Sequence, residues 1–273
     1  MLVFAAAICY FRFMDFIRIA YAVAGRHATI TMRRPEKRNA LDDDMIRELI
    51  GAFTSAARDT AVKTVTLKGE GPAFCAGADL ASLRRIAKSD LEENRADSSR
   101  LAHLYKCIYE LRKPVIAVVG GPALAGGCGL TCVCDFVLAS QEHAAFGYPE
   151  VHIGFIPAVV LVFLVKRIGE GRARELALRG NTITANEAFA LGLVTCVVPH
   201  ATLETTAAQL AEELAEQNSG ASMALIKETL ARLQGMNFHD GLDFAANMNA
   251  TARMTQDCKQ GVDAFLAKKK VTW

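Results

Sequence analysis

Two glycine-rich turns, each following a strand-like apolar run, constrain this chain more than any other feature. The first covers residues 69–77, after the β-branched run 62–68, and the second covers 120–129, after the continuous apolar run 114–119. Neither is a nucleotide fingerprint. A P-loop needs Gly-Lys-Ser/Thr, where this chain carries Gly126-Gly127-Cys128-Gly129, and no GxGxxG opens an early βαβ unit. The other physical use of such turns is to expose backbone N–H groups. Glycine lets a ligand oxygen approach the chain closely, and a helix start leaves its first N–H groups unpaired. Two amides aimed at one point form an oxyanion hole, which suits a thioester enolate because charge builds on its carbonyl oxygen. Read one at a time, such turns are more often structural.

The rest of the chain frames these turns. Strand patterns cover 27–32 and 62–68. Between them, residues 42–58 carry Met45, Ile46, Leu49, Ile50 and Phe53 at helical spacing behind an acidic start. A charged stretch (84–100) precedes the strand at 114–119, and a further strand is predicted at 135–139. Helices follow at 158–168 and 171–178, then a capped helix at 184–191 and a strand at 194–198. After Pro199 only helices are expected, at 203–217, 222–233, 241–254 and 258–269. The pattern is a mixed α/β body over 14–200 with a helical region over 201–273.

Composition narrows the function classes. A net charge of +2 and a pI near 8.1 argue against nucleic-acid binding by bulk charge. The eight cysteines form no CxxC pair and no histidine follows at ligand spacing, so they read as buried small hydrophobes in a reducing cytoplasm, with no metal site expected. The apolar run 1–11 has no basic residue before it and is broken by Arg12; spanning a bilayer takes roughly 20 residues. Residues 1–13 are therefore expected to be an extension outside the fold and not a membrane anchor.

Several segments then take on a joint meaning. Ala73-Phe74-Cys75-Ala76-Gly77-Ala78-Asp79-Leu80, the run from Lys113-Pro114 to Gly126-Gly127-Cys128, and Phe146-Gly147-Tyr148-Pro149-Glu150 stand in this order. With Arg34-Pro35-Glu36-Lys37-Arg38-Asn39-Ala40-Leu41, Gly192-Leu193-Val194 and the tail 261–266, they resemble the crotonase (enoyl-CoA hydratase/isomerase) superfamily from Met14 to the C-terminus. The resemblance implies an α/β fold, a crotonase-type ββα spiral with a C-terminal helical trimerisation region, assembled as a homotrimer or a dimer of trimers. It implies an acyl-CoA substrate and no cofactor beyond coenzyme A itself. It makes Ala78 and Gly126 the backbone donors to the thioester oxygen and Glu150 the main acid/base group. Ala76, Asp79, Leu80 and Ala81 would lie along bound CoA, Lys37 and Arg38 would meet its phosphates, and Phe265 with Lys268 would reach a neighbouring subunit's adenine.

One departure matters. Hydratases of this family carry a second glutamate three residues after the oxyanion glycine of the second segment, where this chain has Gly129. Three readings stay open: hydration with Glu150 as the single carboxylate, a double-bond shift by Glu150 alone, or an acyl-CoA- or RNA-binding paralogue without turnover. Intact Ala78, Gly126 and Glu150 favour an enzyme. Residues 150–158 resemble bacterial members assigned to methylglutaconyl-CoA or other short branched enoyl-CoA hydration, and Gly129 is expected to leave space for a branch or polar terminus. His152, two residues beyond Glu150, should point away from it in an extended segment. Tyr148 is expected to pack beside CoA, and Asp135 to serve a turn or cap.

Overall fold

The computed structural model describes residues 16–273; the expected extension over 1–13 lies outside the described residues. The hairpin β1 (Ile19–Ala24) and β2 (His27–Met32) turns through Gly25 at φ +57°. Helix α1 (Asp43–Arg58) starts where the acidic residues predicted it, with the Asp42 carboxylate accepting the Met45 N–H at 2.8 Å. Its Met45, Leu49 and Phe53 are buried, each a site where truncation to Ala would cost about 2–5 kcal/mol.

Strand β3 (Thr64–Gly69) follows, then α2 (Leu80–Ile86) and α3 (Leu91–Tyr109). The charged stretch at 84–100 is thus two helices, the second opened by an Asp90/Glu93 capping box. Only Leu104, Tyr105 and Ile108 of α3 are buried, so most of that helix is a solvated face.

The second glycine turn lies between β4 (Val115–Val119) and α4 (Gly126–Val133), with the short β5 (Ala123–Leu124) inside it. Then come β6 (Phe136–Ser140), β7 (Ala145–Gly147), α5 (Ala158–Ile168), α6 (Glu170–Arg179), β8 (Thr182–Thr184), α7 (Ala185–Leu191) and β9 (Cys196–Val198). Thr184 and Glu187 form the capping box that makes α7 legible in the sequence. Helices α8 (Leu203–Gln217), α9 (Gly220–Leu233), α10 (Phe238–Met254) and α11 (Gln256–Leu266) close the chain.

The main sheet runs β1-β2-β3-β4-β6-β9, antiparallel at the β1/β2 edge and parallel elsewhere. Both faces of its centre are covered, which is why β4 reads as an unbroken apolar run. Val115, Ala117 and Val119 enter the main core, while Ile116 and Val118 pack with Leu138 against Leu203, Ala207 and Ala211 of α8. A small second sheet, β5-β7-β8, is extended by single bridges at Cys75–Ala123 and Leu41–Ala78.

Cys75, Cys128, Cys132 and Cys134 are buried as free thiols, and burial pushes their pKa values up, to about 12 for Cys75 and about 11 for Cys132. They are packing groups. Among the described residues no helix is long and apolar enough to cross a membrane. Helices α9–α11 bury little beyond Met223 and leave Ile226, Phe238, Met254 and Phe265 exposed.

Candidate active site

The resembling segments, far apart in sequence, are knitted by one run of backbone hydrogen bonds. The Arg38 carbonyl accepts the Ala76 N–H at 3.0 Å, and Leu41 N–H donates to the Gly77 carbonyl at 2.7 Å. Leu124 N–H donates to the Cys75 carbonyl at 2.9 Å, and Ala125 N–H to the Gly147 carbonyl at 2.8 Å. The turn at 34–41, both glycine turns and the segment leading to Glu150 therefore lie side by side.

Contact between the two glycine turns explains Gly77. It sits at φ +88°, and a β-carbon there would stand 2.7 Å from the Ala125 Cβ and 3.3 Å from the Gly126 nitrogen. No other residue meets both demands without strain.

The bridge at Leu41 orients Ala78. Leu41 bonds the residues on either side, Gly77 and Asp79, so the N–H of Ala78 faces the opposite way. Among the described residues that N–H donates to no protein acceptor, and neither does the N–H of Gly126, the first residue of α4. Ala125, just before it, is held at φ 51°, ψ −125°, a conformation costly for a residue with a side chain. The strain sits at the entry to α4, where the second glycine turn packs against Gly77 of the first.

Glu150 lies on a 3-10 turn, Pro149–Ile153, that ends at Gly154 with φ +72°. The carboxyl is buried, and its Oε2 has no hydrogen-bond partner among the described residues. Burial pushes its pKa up, partly offset by its own backbone N–H. An unpartnered buried carboxyl at neutral pH is a proton-transfer group in waiting.

Asp79 is buried, and its carboxylate is fully engaged: it accepts the Ala81 N–H at 2.8 Å, capping α2, and pairs with Arg34 at 2.9 Å. It is not available to a ligand through its side chain. Leu80 and Ala81 open α2 beside it. Lys37 and Arg38 are exposed on the same side of the molecule as Ala76, to which Arg38 is bonded. Phe265 is 82% exposed on α11, and Lys268 is exposed just beyond it.

Two expectations are overturned. The space beside Gly129 is not open: a β-carbon there would meet the Tyr105 hydroxyl at 2.5 Å and the Val160 Cγ2 at 2.7 Å. Glycine is present because α3 and α5 close on it, so Gly129 supplies no room for a branch or polar terminus. Tyr148 does not lie where CoA could reach it. It is fully buried with its hydroxyl 3.2 Å from the Cys132 thiol, just before the 3-10 turn that begins at Pro149.

His152 lies with Glu150 on the 3-10 turn and not on the extended segment expected, and its Nε2 contacts the Arg179 carbonyl at 3.2 Å at the end of α6. Asp135 is structural, accepting the Val115 N–H at 2.7 Å and pairing with Lys227.

Residues 25–273 match the family model described as enoyl-CoA hydratase/isomerase. The chain belongs to the enoyl-CoA hydratase/isomerase family. A Thermus thermophilus protein, provisionally named an enoyl-CoA hydratase, is 43% identical over 245 residues, covering 90% of this chain and 96% of its own. The 2,3-dehydroadipyl-CoA hydratase of Escherichia coli is 33% identical over 241 residues, covering 88% and 92%. The crystal structure of an enoyl-CoA hydratase from Shewanella pealeana superposes with a TM-score of 0.89 at 31% identity, covering 95% of this chain and 97% of that one. The chain is accordingly an enzyme of this family with the crotonase fold.

Within that family frame the sequence missed one residue. Tyr105 is fully buried and donates its hydroxyl to the Gly126 carbonyl at 2.6 Å, against the first turn of α4. Nothing marks it in the sequence except its place beside Leu104 on the buried stripe of an otherwise charged helix.

Proposed function

We propose that this enzyme hydrates a short 2-enoyl-CoA, with Glu150 as its single acid/base carboxylate. The observation that carries the reading is the buried, unpartnered Oε2 of Glu150, on a segment bonded through Gly147 to the residue preceding Gly126. In this reading the Ala78 and Gly126 N–H groups receive the thioester oxygen. Glu150 takes a proton from water as its oxygen bonds to the β-carbon, and the electron pair of the double bond moves toward the thioester. The same carboxyl then returns the proton to the α-carbon, so water adds without net change in the enzyme. The hydratase names of the relatives support this direction.

Coenzyme A would run past Ala76, Asp79, Leu80 and Ala81, with Lys37 and Arg38 toward its phosphates and no other cofactor. The apolar residues left exposed on α9–α11 support assembly through this region, which would also bring Phe265 and Lys268 to a neighbour's site. Light scattering should report a trimer or hexamer; a monomer at micromolar concentration contradicts the assembly.

A second reading, a 3,2-enoyl-CoA isomerase, is favoured by the filled space at Gly129, which leaves no second carboxylate to organise water. Loss of conjugated absorbance with crotonyl-CoA supports hydration. Gain of that absorbance with a 3-enoyl-CoA, and no reaction with crotonyl-CoA, assigns the isomerase instead. An acyl-CoA-binding paralogue would turn over neither, and has no use for a buried, unpartnered acid.

A further inference from the structure

The resemblance leaves a vacancy at Gly129, and the structure fills it with a phenol. Tyr105 reaches from α3 across to α4, and its hydroxyl lies where a side chain at Gly129 would begin, 2.5 Å from the β-carbon position. The same hydroxyl is 3.2 Å from the β-carbon position of Gly126 and donates to that residue's carbonyl at 2.6 Å. The ring cannot easily retreat. It is fully buried and meets Phe163 of α5 edge-on, with centroids 5.9 Å apart, and Phe163 is braced by Tyr109 at 5.4 Å. Val160, also on α5, closes the remaining side of Gly129 at 2.7 Å.

We propose that Tyr105 is a positioning and specificity-determining residue: it fixes the peptide at Gly126 and occupies the place of a second carboxylate, so that acid/base work falls to Glu150. The proposal deepens the acyl-CoA reading given above and rests on it. Tyr105 does not act as a proton donor to substrate, because its one O–H is already given to the Gly126 carbonyl. Its effect passes through the backbone. With the hydroxyl gone, Gly126 gains freedom about its own φ and ψ, and the N–H aimed at the thioester oxygen loses its fixed direction. A donor that must be reoriented during reaction stabilises the enolate less than one already in place.

Two consequences separate this role from simple core packing. First, removing only the hydroxyl should weaken the enolate-like state and leave CoA binding alone, since no CoA-contacting segment is touched. Second, a carboxylate installed at 129 can be accommodated only when the phenol is removed with it. Gly129→Glu by itself places a charged side chain against the hydroxyl and the Val160 methyl in a buried space.

The test uses the full chain, with crotonyl-CoA and a 3-enoyl-CoA as substrates. Acetoacetyl-CoA, whose enolate has its own ultraviolet band, probes the oxyanion donors without turnover. For Tyr105→Phe, kcat and affinity for the acetoacetyl-CoA enolate should fall together, roughly three- to tenfold for one lost hydrogen bond, with KM and affinity for free CoA unchanged. Wild-type kcat and enolate affinity in Tyr105→Phe overturn the positioning role. Loss of CoA affinity in proportion to kcat overturns it equally, as general misfolding. Gly129→Glu should lose thermal stability, and adding Tyr105→Ala should recover it and raise crotonyl-CoA hydration above that of Tyr105→Ala alone. A stable Gly129→Glu single variant with wild-type turnover shows that the phenol does not hold the site. If the wild-type chain turns over neither substrate, the activity reading fails on its own, and the acetoacetyl-CoA band still decides the role of Tyr105.

Discussion

Arg34 binds Asp79 at 2.9 Å and Asp42 at 3.1 Å through one guanidinium nitrogen. Asp42 caps α1 and Asp79 caps α2, so a single side chain joins two helix starts on either side of the Leu41–Ala78 bridge. Burial pushes the Asp79 carboxyl up, but the Ala81 N–H and the Arg34 charge outweigh it and hold the pKa below the ordinary carboxylate value. The folded pKa is depressed, so its stabilisation is present above the unfolded pKa and is lost as pH falls through the folded one. Arg34→Met should cost about 1–3 kcal/mol at neutral pH by urea denaturation. It should also move the onset of acid unfolding to higher pH. An unchanged acid limb in Tm against pH would show that the pair is idle.

Glu150→Gln should lower kcat by about 10²–10⁴-fold, the usual weight of a positioned acid/base group, with CoA affinity unchanged. Folding stability should not fall. Glu150 is a buried carboxyl with a raised pKa, and its ionised form is a burden on the native state at neutral pH. A variant that keeps its turnover on every competent substrate, or that loses it only by unfolding, contradicts the assignment.

The same direction of shift sets the pH profile. Glu150 must be ionised to take a proton, and its pKa is raised by burial, so kcat/KM should fall on the acid side around a pKa above the ordinary glutamate value. Glu150→Gln should abolish that limb from whatever activity remains. A limb at an ordinary carboxylate pKa, or one that survives the substitution, belongs to another group.

His152→Ala should change turnover by less than about threefold, because the ring is exposed and tied to the Arg179 carbonyl. A loss comparable to that of Glu150→Gln would mean that the ring swings inward during reaction. Steady-state kinetics on the two variants side by side decide it.

The sequence by itself determined the local matters. The helices expected at 158–168 and 203–217 match α5 and α8 to the residue, the acidic start and the Thr184/Glu187 pair marked α1 and α7, and motif order carried the family. The family resemblance also grouped Glu150, Ala78 and Gly126 as one expected site, with Gly129 standing where a second carboxylate was expected. These signals are short-range, because caps and periodicity depend on neighbours three or four residues away. What occupies the space of a missing side chain is a different kind of fact. Gly129 has no local reason to be sealed; α3 closes it through Tyr105 and α5 through Val160, from 24 residues before and 31 after it in the chain. Likewise Tyr148 is drawn inward and Asp79 is claimed by Arg34 through packing between segments distant in sequence. Close-packed interiors leave no position empty, so a glycine in the core records the shape of its neighbours, and only the tertiary structure says which neighbours those are.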